Sequence, residues 1–235
     1  MQNACFRFKE FSISQDICPM KISTDSVLIG AWAGVDDSKF ILDIGTGSGI
    51  IALMLAQRSN AQIDAIDMDE DACSQAKDNF SKSKWGKRVN IFQSSLQNFF
   101  PNKKYDLIIS NPPYFPLPNS HKEKEGTHGK YTHMLPFVEL VEGVIRLLSP
   151  TGCFYVIFPV HEGAFFTNEA EKRKLFLTDY VWVKTTTRKK FPKRILMKFE
   201  LSEKPINDNK LFVIQNDSGY TDEYKELTKD YYLKF

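Results

Sequence analysis

The sequence has few of the features that mark a disulfide scaffold, a metal site or a membrane protein. Its four cysteines are scattered along 235 residues, and none has a CxxC or Cys/His spacing, so we expect reduced thiols. No run approaches the roughly 18 apolar residues of a membrane span, and the first residues, MQNACFRFKEF, lack a signal-peptide core. We therefore expect a soluble, cytoplasmic protein with no membrane contact and no metal ion.

An excess of charge of one sign is also missing. Lys and Arg together number 31 against 29 for Asp and Glu, which gives a formal net charge of +2. A nucleic acid would therefore have to be bound through a local basic patch. The composition is 42% hydrophobic and 26% charged, which is typical of a globular chain and excludes intrinsic disorder, collagen-like repeats and a coiled coil.

From Phe40 onward, short apolar runs alternate with helical patterns. Because parallel strands need crossover helices, this alternation predicts an α/β fold with a mostly parallel sheet. The predicted strands are Phe40–Gly45, Gln62–Asp67, Val89–Gln93, Tyr105–Ser110 and Cys153–Phe158. The predicted helices are Gly49–Arg58, Asp69–Lys82, Leu135–Leu148 and Gly163–Lys174.

The last third of the chain has a different pattern. Two β-rich segments, Leu175–Thr187 and Phe191–Leu201, predict an antiparallel hairpin, followed by a strand at Lys210–Gln215 and a helix at Tyr220–Leu233. We expect one domain. In it, residues 1–37 are an N-terminal extension whose small β-unit caps the site, residues 38–160 are a cofactor-binding core, and residues 161–235 are a C-terminal helix, hairpin and tail.

A glycine-rich turn joins the first core strand to a helix. In the segment 43–49, DIGTGSG, glycines let a ligand approach the backbone, and the helix start presents free N–H groups. A dinucleotide fingerprint would need a third glycine where Ile50 stands. Asp43 suits an ammonium or sulfonium group and opposes a phosphate, which favours S-adenosylmethionine. The alternative is a tight turn that serves packing alone.

Asp67 ends the next predicted strand. A carboxylate at that position can accept hydrogen bonds from both hydroxyls of a ribose. The alternative is that Asp67 only caps the following helix. For the acids at positions 69–71, capping is the better interpretation.

The sequence Asn111-Pro112-Pro113-Tyr114 follows directly on the predicted strand Tyr105–Ser110. It resembles the motif of class I methyltransferases that modify planar amino groups, which carry [N/D]-P-P-[Y/F/W] after their fourth strand. The side-chain oxygen of Asn111 and the carbonyl of Pro112 would accept the two amine hydrogens and expose the nitrogen lone pair. Pro113 restricts the preceding residue, and Tyr114 would stack on a flipped-out base. An Asn-Pro turn that merely ends a strand is the alternative.

Other segments resemble the bacterial tRNA adenine-N6 methyltransferases that act beside the anticodon of valine tRNA. The resembling segments are Lys21–Ala33, Val156–Gly163, Lys189–Leu201 and residues 220–235. The resemblance implies a Rossmann-like class I methyltransferase fold with a mostly parallel seven-stranded sheet and a C-terminal antiparallel hairpin. It also implies an enzyme that uses S-adenosylmethionine and acts on tRNA. We expect the protein to be a monomer, although the sequence does not report the oligomeric state.

The resemblance further implies roles for individual residues. The cofactor-binding residues would be Thr24, Asp25, Asp43, Gly45, Gly47 and Asp67, and the catalytic residues Asn111, Pro112 and Tyr114. Thr24 and Asp25 match the family segment that closes over the methionine end of the cofactor. The segment Ser120–His133 lacks the arginine that the family usually carries there, so its substrate contacts are not carried over.

A basic run without acids occupies the predicted hairpin. It comprises Lys184, Arg188, Lys189, Lys190, Lys193, Arg194 and Lys198. We expect Lys189, Lys190, Lys193 and Arg194 to hold RNA phosphates, with a solvated sheet edge as the alternative. Three of the four histidines fall in the segment Ser120–His133, where a solvated loop is a better interpretation than a metal site.

Four functions are compatible with these motifs. They are adenine-N6 methylation of RNA, methylation of a glutamine side-chain amide in a protein, guanine-N2 methylation of ribosomal RNA, and dinucleotide-dependent oxidoreduction. The last leaves the Asn-Pro-Pro-Tyr motif unexplained. The basic run and the chain length favour RNA over protein, but they do not identify the base.

Overall fold

The computed structural model describes residues 5–113, 135–206 and 210–235. Its strands are β1 (Cys5–Arg7), β2 (Ser12–Ser14), β3 (Phe40–Ile44), β4 (Gln62–Asp67), β5 (Val89–Gln93), β6 (Tyr105–Ser110), β7 (Leu148–Pro159), β8 (Phe176–Thr186), β9 (Arg194–Glu200), β10 (Lys210–Asn216) and β11 (Gly219–Tyr220). Its α-helices are α1 (Thr24–Trp32), α2 (Ile50–Arg58), α3 (Glu70–Ser81), α4 (Phe137–Leu147), α5 (Val160–Glu171) and α6 (Asp222–Thr228).

One large sheet organises the molecule, with strand order β11-β10-β8-β9-β7-β6-β3-β4-β5. The strands from β5 to β7 pair in parallel, while β9 runs antiparallel to both β7 and β8. These pairings confirm the mostly parallel sheet and the antiparallel hairpin. The predicted number of seven strands is too low, since the sheet has nine strands within the described residues. The two additional strands are β10, which pairs with β8, and β11, which pairs with β10.

Helices cover both faces of this sheet. On one face, α1, α2, α3 and α6 bury a core that includes Leu28, Leu53 and Phe80. On the other face, α4 and α5 pack over a second core that includes Val144 and Phe154. Burial of these apolar side chains is the main favourable contribution to folding. Among the helices described, none has the length and apolar character needed to cross a bilayer.

The N-terminal extension contains the expected β-unit and also a helix that the sequence pattern did not reveal. Strands β1 and β2 pair in an antiparallel hairpin, whereas α1 begins after its N-cap Ser23 and is buried continuously from Ser26 to Ala31. A helix that is covered on all sides needs no polar face, so the usual amphipathic period is missing. The C-terminal helix is shorter than predicted and ends at Thr228, whose carbonyl accepts the N–H groups of two following residues.

Candidate active site

The glycine turn between β3 and α2 has one position, Gly45, that faces open space. Gly45, Gly47 and Gly49 all have positive φ values, of 70°, 56° and 83°. A Cβ atom added to Gly45 would meet no atom within 4 Å, whereas one on Gly49 would lie 2.4 Å from the ring of Phe80. Gly49 is therefore required by the packing of α2 against α3. Gly45 is not required by any neighbouring side chain, and its open position suits a ligand.

Asp43 lies buried beneath this turn. Its Oδ2 atom accepts hydrogen bonds from Thr46 Oγ1 at 2.6 Å and from the backbone N–H of Ala52 at 3.2 Å. Within the described part of the chain, its Oδ1 atom has no hydrogen-bond partner. Burial raises the pKa of Asp43 to about 7, although the two hydrogen bonds oppose the shift; the negative charge of Asp67 adds to it. The site thus holds a buried acid that a nearby cation would help to ionise.

Asp67 lies at the end of β4, and its carboxylate accepts a hydrogen bond from the backbone of the glycine turn. Its Oδ2 atom accepts the N–H of Gly47 at 2.9 Å, and its Oδ1 atom accepts the N–H of Asp69 at 3.0 Å. Burial raises the pKa of Asp67 as well. The N-cap of α3 is Asp69, which accepts the N–H of Ala72 at 2.8 Å. Capping of α3 therefore does not explain Asp67.

Asn111 follows β6, the parallel neighbour of β3, and so lies at the same edge of the sheet as the glycine turn. Its Nδ2 atom donates to Ser26 Oγ at 3.0 Å. That hydroxyl lies 3.1 Å from Ser23 Oγ at the start of α1. Sequence reasoning missed Ser26 because the contact spans 85 residues. The only local signal was the presence of hydroxyl side chains where a helix begins.

The rest of the Asn-Pro-Pro-Tyr motif is partly described. Pro112 is buried and Pro113 is exposed. Tyr114 and the segment Ser120–His133 lie outside the described residues, and so do the expectations placed on them.

The two residues assigned to cofactor closure, Thr24 and Asp25, lie in the first turn of α1. Asp25 Oδ2 pairs with Arg194 Nε at 2.7 Å, and both side chains are largely shielded from solvent. Thr24 is exposed. The ion pair therefore joins a residue expected on the cofactor side to one expected on the RNA side, a connection that no sequence pattern indicated.

The segment between β2 and α1 lies against the glycine turn. Cys18 Sγ is 3.9 Å from the position that a Cβ atom on Gly47 would take. Asn79 of α3 tethers this region, since its Nδ2 atom donates to the carbonyl of Ser14 at 2.9 Å and to that of Ser48 at 2.8 Å. Burial raises the pKa of the Cys18 thiol, so Cys18 packs against the turn as a neutral group.

The basic loop between β8 and β9 reaches the same edge of the sheet as Asn111. Arg194, the first residue of β9, is paired with Pro159, the last residue of β7, and β7 runs parallel to β6. Lys189, Lys190 and Lys193 are exposed on this loop. The structure therefore places these lysines on the side of the molecule where the motif residues emerge.

In the part of the chain that the structure describes, neither a metal-binding cluster nor the hollow at the amino ends of β3 and β4 is part of this site. Among the described residues, no group of three or more His, Cys, Asp and Glu side chains could hold a metal ion. A hollow of about 610 Å³ lined by residues that include Asp36, Phe40 and Gln62 lies where β3 and β4 begin. Ligands of parallel sheets bind at the opposite, carboxyl ends of the strands.

The fold and these strand-end groups define a class I methyltransferase. A predicted O-methyltransferase of Agrobacterium tumefaciens superposes with a TM-score of 0.70 over 88% of this chain and 96% of that protein. Its sequence identity is 13%, so the likeness concerns the fold alone.

The methyltransferase small domain family matches residues 26–163. Two relatives named "tRNA1(Val) (adenine(37)-N6)-methyltransferase" match almost end to end. The one from Trichodesmium erythraeum is 42% identical and covers 98% of each chain. The one from Flavobacterium johnsoniae is 44% identical, covering 97% of this chain and 99% of its own. The chain belongs to this family of methyltransferases.

Proposed function

We propose that this enzyme transfers a methyl group from S-adenosylmethionine to the exocyclic N6 of adenine 37, beside the anticodon of valine tRNA. The observation that carries the proposal is the amide of Asn111. It is held by Ser26 at the carboxyl end of β6, beside the turn that Asp43 and Asp67 support. The names of the full-length relatives supply the substrate in this proposal. A tRNA substrate would place the reaction in the cytoplasm.

The residues around the turn fit S-adenosylmethionine. Gly45 leaves open space above the backbone, and Asp67 offers a carboxylate where a ribose would lie. The buried Oδ1 of Asp43 has no hydrogen-bond partner in the described residues, and burial opposes the negative charge that this carboxyl carries when it ionises. Sulfonium and ammonium groups would compensate that charge. The cofactor, when bound, supplies an electrophilic methyl carbon.

Asn111 and Pro112 would activate the attacking amine. The lone pair of an adenine N6 is delocalised into the ring, so the nitrogen is a poor nucleophile while it stays planar. Asn111 Oδ1 and the Pro112 carbonyl would accept its two hydrogens and hold the nitrogen in a pyramidal geometry. In that geometry the nitrogen would present its lone pair to the methyl carbon that S-adenosylmethionine supplies when bound, and its surplus proton would leave to water. Only hydrogen-bond acceptors are required, so this step needs no general base with a tuned pKa.

The three alternative functions considered for the sequence have less support than adenine-N6 methylation. Membership of a methyltransferase family excludes a dinucleotide oxidoreductase. Methylation of a glutamine amide or of guanine N2 would use similar acceptors. The relatives at 42% and 44% identity, however, carry the adenine-N6 name.

Nucleoside analysis tests this proposal. Mass spectrometry of valine tRNA from cells with and without the gene should show that N6-methyladenosine at position 37 is lost with the gene and restored by a plasmid copy. A plasmid that encodes Asn111→Ala should not restore it. An unchanged level of N6-methyladenosine in valine tRNA after deletion would contradict the proposal.

A further inference from the structure

A shallow apolar hollow of about 590 Å³ lies beside the basic loop. Its lining consists of Val160, Trp182, Phe191, Pro192 and Leu211. Phe191 is 68% exposed and Leu211 is 52% exposed. Large apolar side chains that cluster at the surface commonly mark a binding site.

The floor of the hollow belongs to the sheet. Trp182 of β8 and Leu211 of β10 are direct partners in adjacent parallel strands, and Trp182 also packs edge-on against Tyr180 with ring centroids 5.6 Å apart. Val160, at the start of α5, borders the floor on one side. Phe191 lies on the loop, so the hollow has a floor formed by two paired strands and one exposed aromatic ring beside it.

Positive charge borders this apolar surface on the side of the loop. Lys190 Nζ lies 5.3 Å from the centroid of the Phe191 ring, and Lys189 and Lys193 are exposed on the same short loop. An aromatic ring with lysines beside it matches a nucleotide, whose base has a flat π-face and whose phosphate is negative. A second copy of this chain would bring a second set of lysines to the same place, so charge complementarity favours RNA.

The hollow is also well placed relative to Asn111. From β6 through β7 and β9 to β8 there are three strand spacings of about 4.8 Å each. The ion pair of Arg194 with Asp25 connects the base of the loop to α1, whose Ser26 holds Asn111. The floor residues Trp182 and Leu211 therefore lie three and four strands away from β6, a separation that suits a neighbouring nucleotide of the same RNA rather than the reacting base at Asn111.

We propose that this hollow is a stacking subsite for an unpaired nucleobase of the RNA, near the methylated adenine. Phe191 stacks on the base, Trp182 and Leu211 form the apolar floor, and the loop lysines hold the adjoining phosphates. The inference rests on the proposed RNA substrate. It adds a contact that recognises the base surface rather than the backbone charge.

The test is filter binding of an unmodified valine tRNA transcript across a series of salt concentrations. Phe191→Ala should raise Kd about tenfold at every salt concentration, within the range expected for stacking of one base on an aromatic ring. The slope of log K against log salt should stay that of the wild type, because no phosphate contact is lost. Phe191→Tyr should restore tight binding. Phe165→Ala, which removes another exposed phenylalanine outside the hollow, should leave Kd unchanged.

Several results would overturn the subsite. If Phe191→Ala binds as tightly as the wild type, the subsite is wrong while the proposed RNA substrate stands. A changed salt slope would mean that Phe191 acts only by positioning lysines. A wild-type dimer that Phe191→Ala converts to monomers would make the hollow a subunit interface. Failure of the wild-type protein to bind the transcript would contradict both the subsite and the proposed function.

Discussion

Asp67 and Asp69 are two positions apart and have different tasks. Asp67 supports the glycine turn through Gly47, whereas Asp69 caps α3. We expect Asp67→Ala to weaken binding of S-adenosylmethionine by ~1–3 kcal/mol, the cost of leaving hydrogen-bond partners unmade. Calorimetry measures this directly. Asp69→Ala is the matched control, because it should lower stability by about 1 kcal/mol and leave cofactor affinity unchanged. Equal affinities for Asp67→Ala and wild type would remove Asp67 from the site.

Asp43 should make cofactor affinity depend on pH. Its pKa of about 7 without ligand is far above the ordinary value of 3.8. A bound cation favours the ionised form, so binding below pH 7 must release a proton. Affinity should therefore rise with pH up to about 7 and level off above it.

Calorimetry between about pH 5 and pH 8 checks this linkage. Asp43→Asn keeps the shape of the side chain but cannot titrate, and its affinity should vary less with pH. A wild-type affinity that is constant across this range, or that falls as pH rises, would contradict the assigned position of the cationic groups.

Ser26 is expected to act as a positioning residue for Asn111. Ser26→Ala removes the acceptor that orients the amide, and small errors in the placement of a reacting group lower kcat steeply. We expect a loss in kcat of about tenfold to hundredfold, with little change in the KM for tRNA or in cofactor affinity. Thr221→Ala is the control, because it loses the N-cap of α6, worth about 1 kcal/mol, and leaves the bond between Ser26 and Asn111 untouched. If both variants lose kcat equally, Ser26 has only a structural role.

At the scale of elements, the loop between β8 and β9 is expected to carry the RNA phosphate contacts. Reversing the charges of Lys189, Lys190 and Lys193 to Glu should weaken tRNA binding. It should also reduce the slope of log K against log salt by about 0.7–0.9 for each lost phosphate contact. Filter binding across a salt series measures both effects.

Its control is the same charge reversal at Lys82, Lys84 and Lys87. These lysines lie between α3 and β5. Strand β5 is the outermost strand on the opposite side of the sheet from β10 and β11. That variant should keep the slope of the wild type. If the hairpin variant also keeps it, the loop is only a solvated edge.

The elements of this protein differ in how far the sequence predicts them. Strands β3, β4 and β6 were predictable because each is an apolar run buried on both faces. Their parallel pairing then brings Gly45, Asp67 and Asn111 to one edge. By contrast, α1 lacks an amphipathic period because it is buried from Ser26 to Ala31.

Contacts between residues that are far apart in the sequence could not be predicted from local patterns either. Nothing local marks the bond between Ser26 and Asn111, 85 residues apart, or the pair of Asp25 and Arg194, 169 residues apart. Local periodicity reports which face of an element is buried and carries no information about its partner. The residues that meet at the carboxyl ends of the strands were therefore predictable from the sequence, whereas the contacts that orient them were not.

At the scale of the whole molecule, the net charge is only +2, but acidic and basic side chains lie at different strands along the carboxyl ends of the sheet. Acids stand at the ends of β3 and β4, where the cofactor would bind, and lysines are exposed three to four strands away on the loop before β9. Asn111 lies between them, after β6. Under the proposed function, this order would let the acids attract the cationic cofactor and the lysines attract the anionic RNA, with the reacting amine between them.

The measurement that tests this account most directly is methyl transfer by the purified protein to valine tRNA transcripts. Wild-type protein should form N6-methyladenosine on the transcript with adenine at position 37 and none on a transcript with guanine there. Asn111→Ala should bind the cofactor normally and lose roughly 10²–10³-fold in kcat, as expected for a group that acts in the transition state. Equal methylation of both transcripts, or a near-normal kcat for Asn111→Ala, would contradict the account.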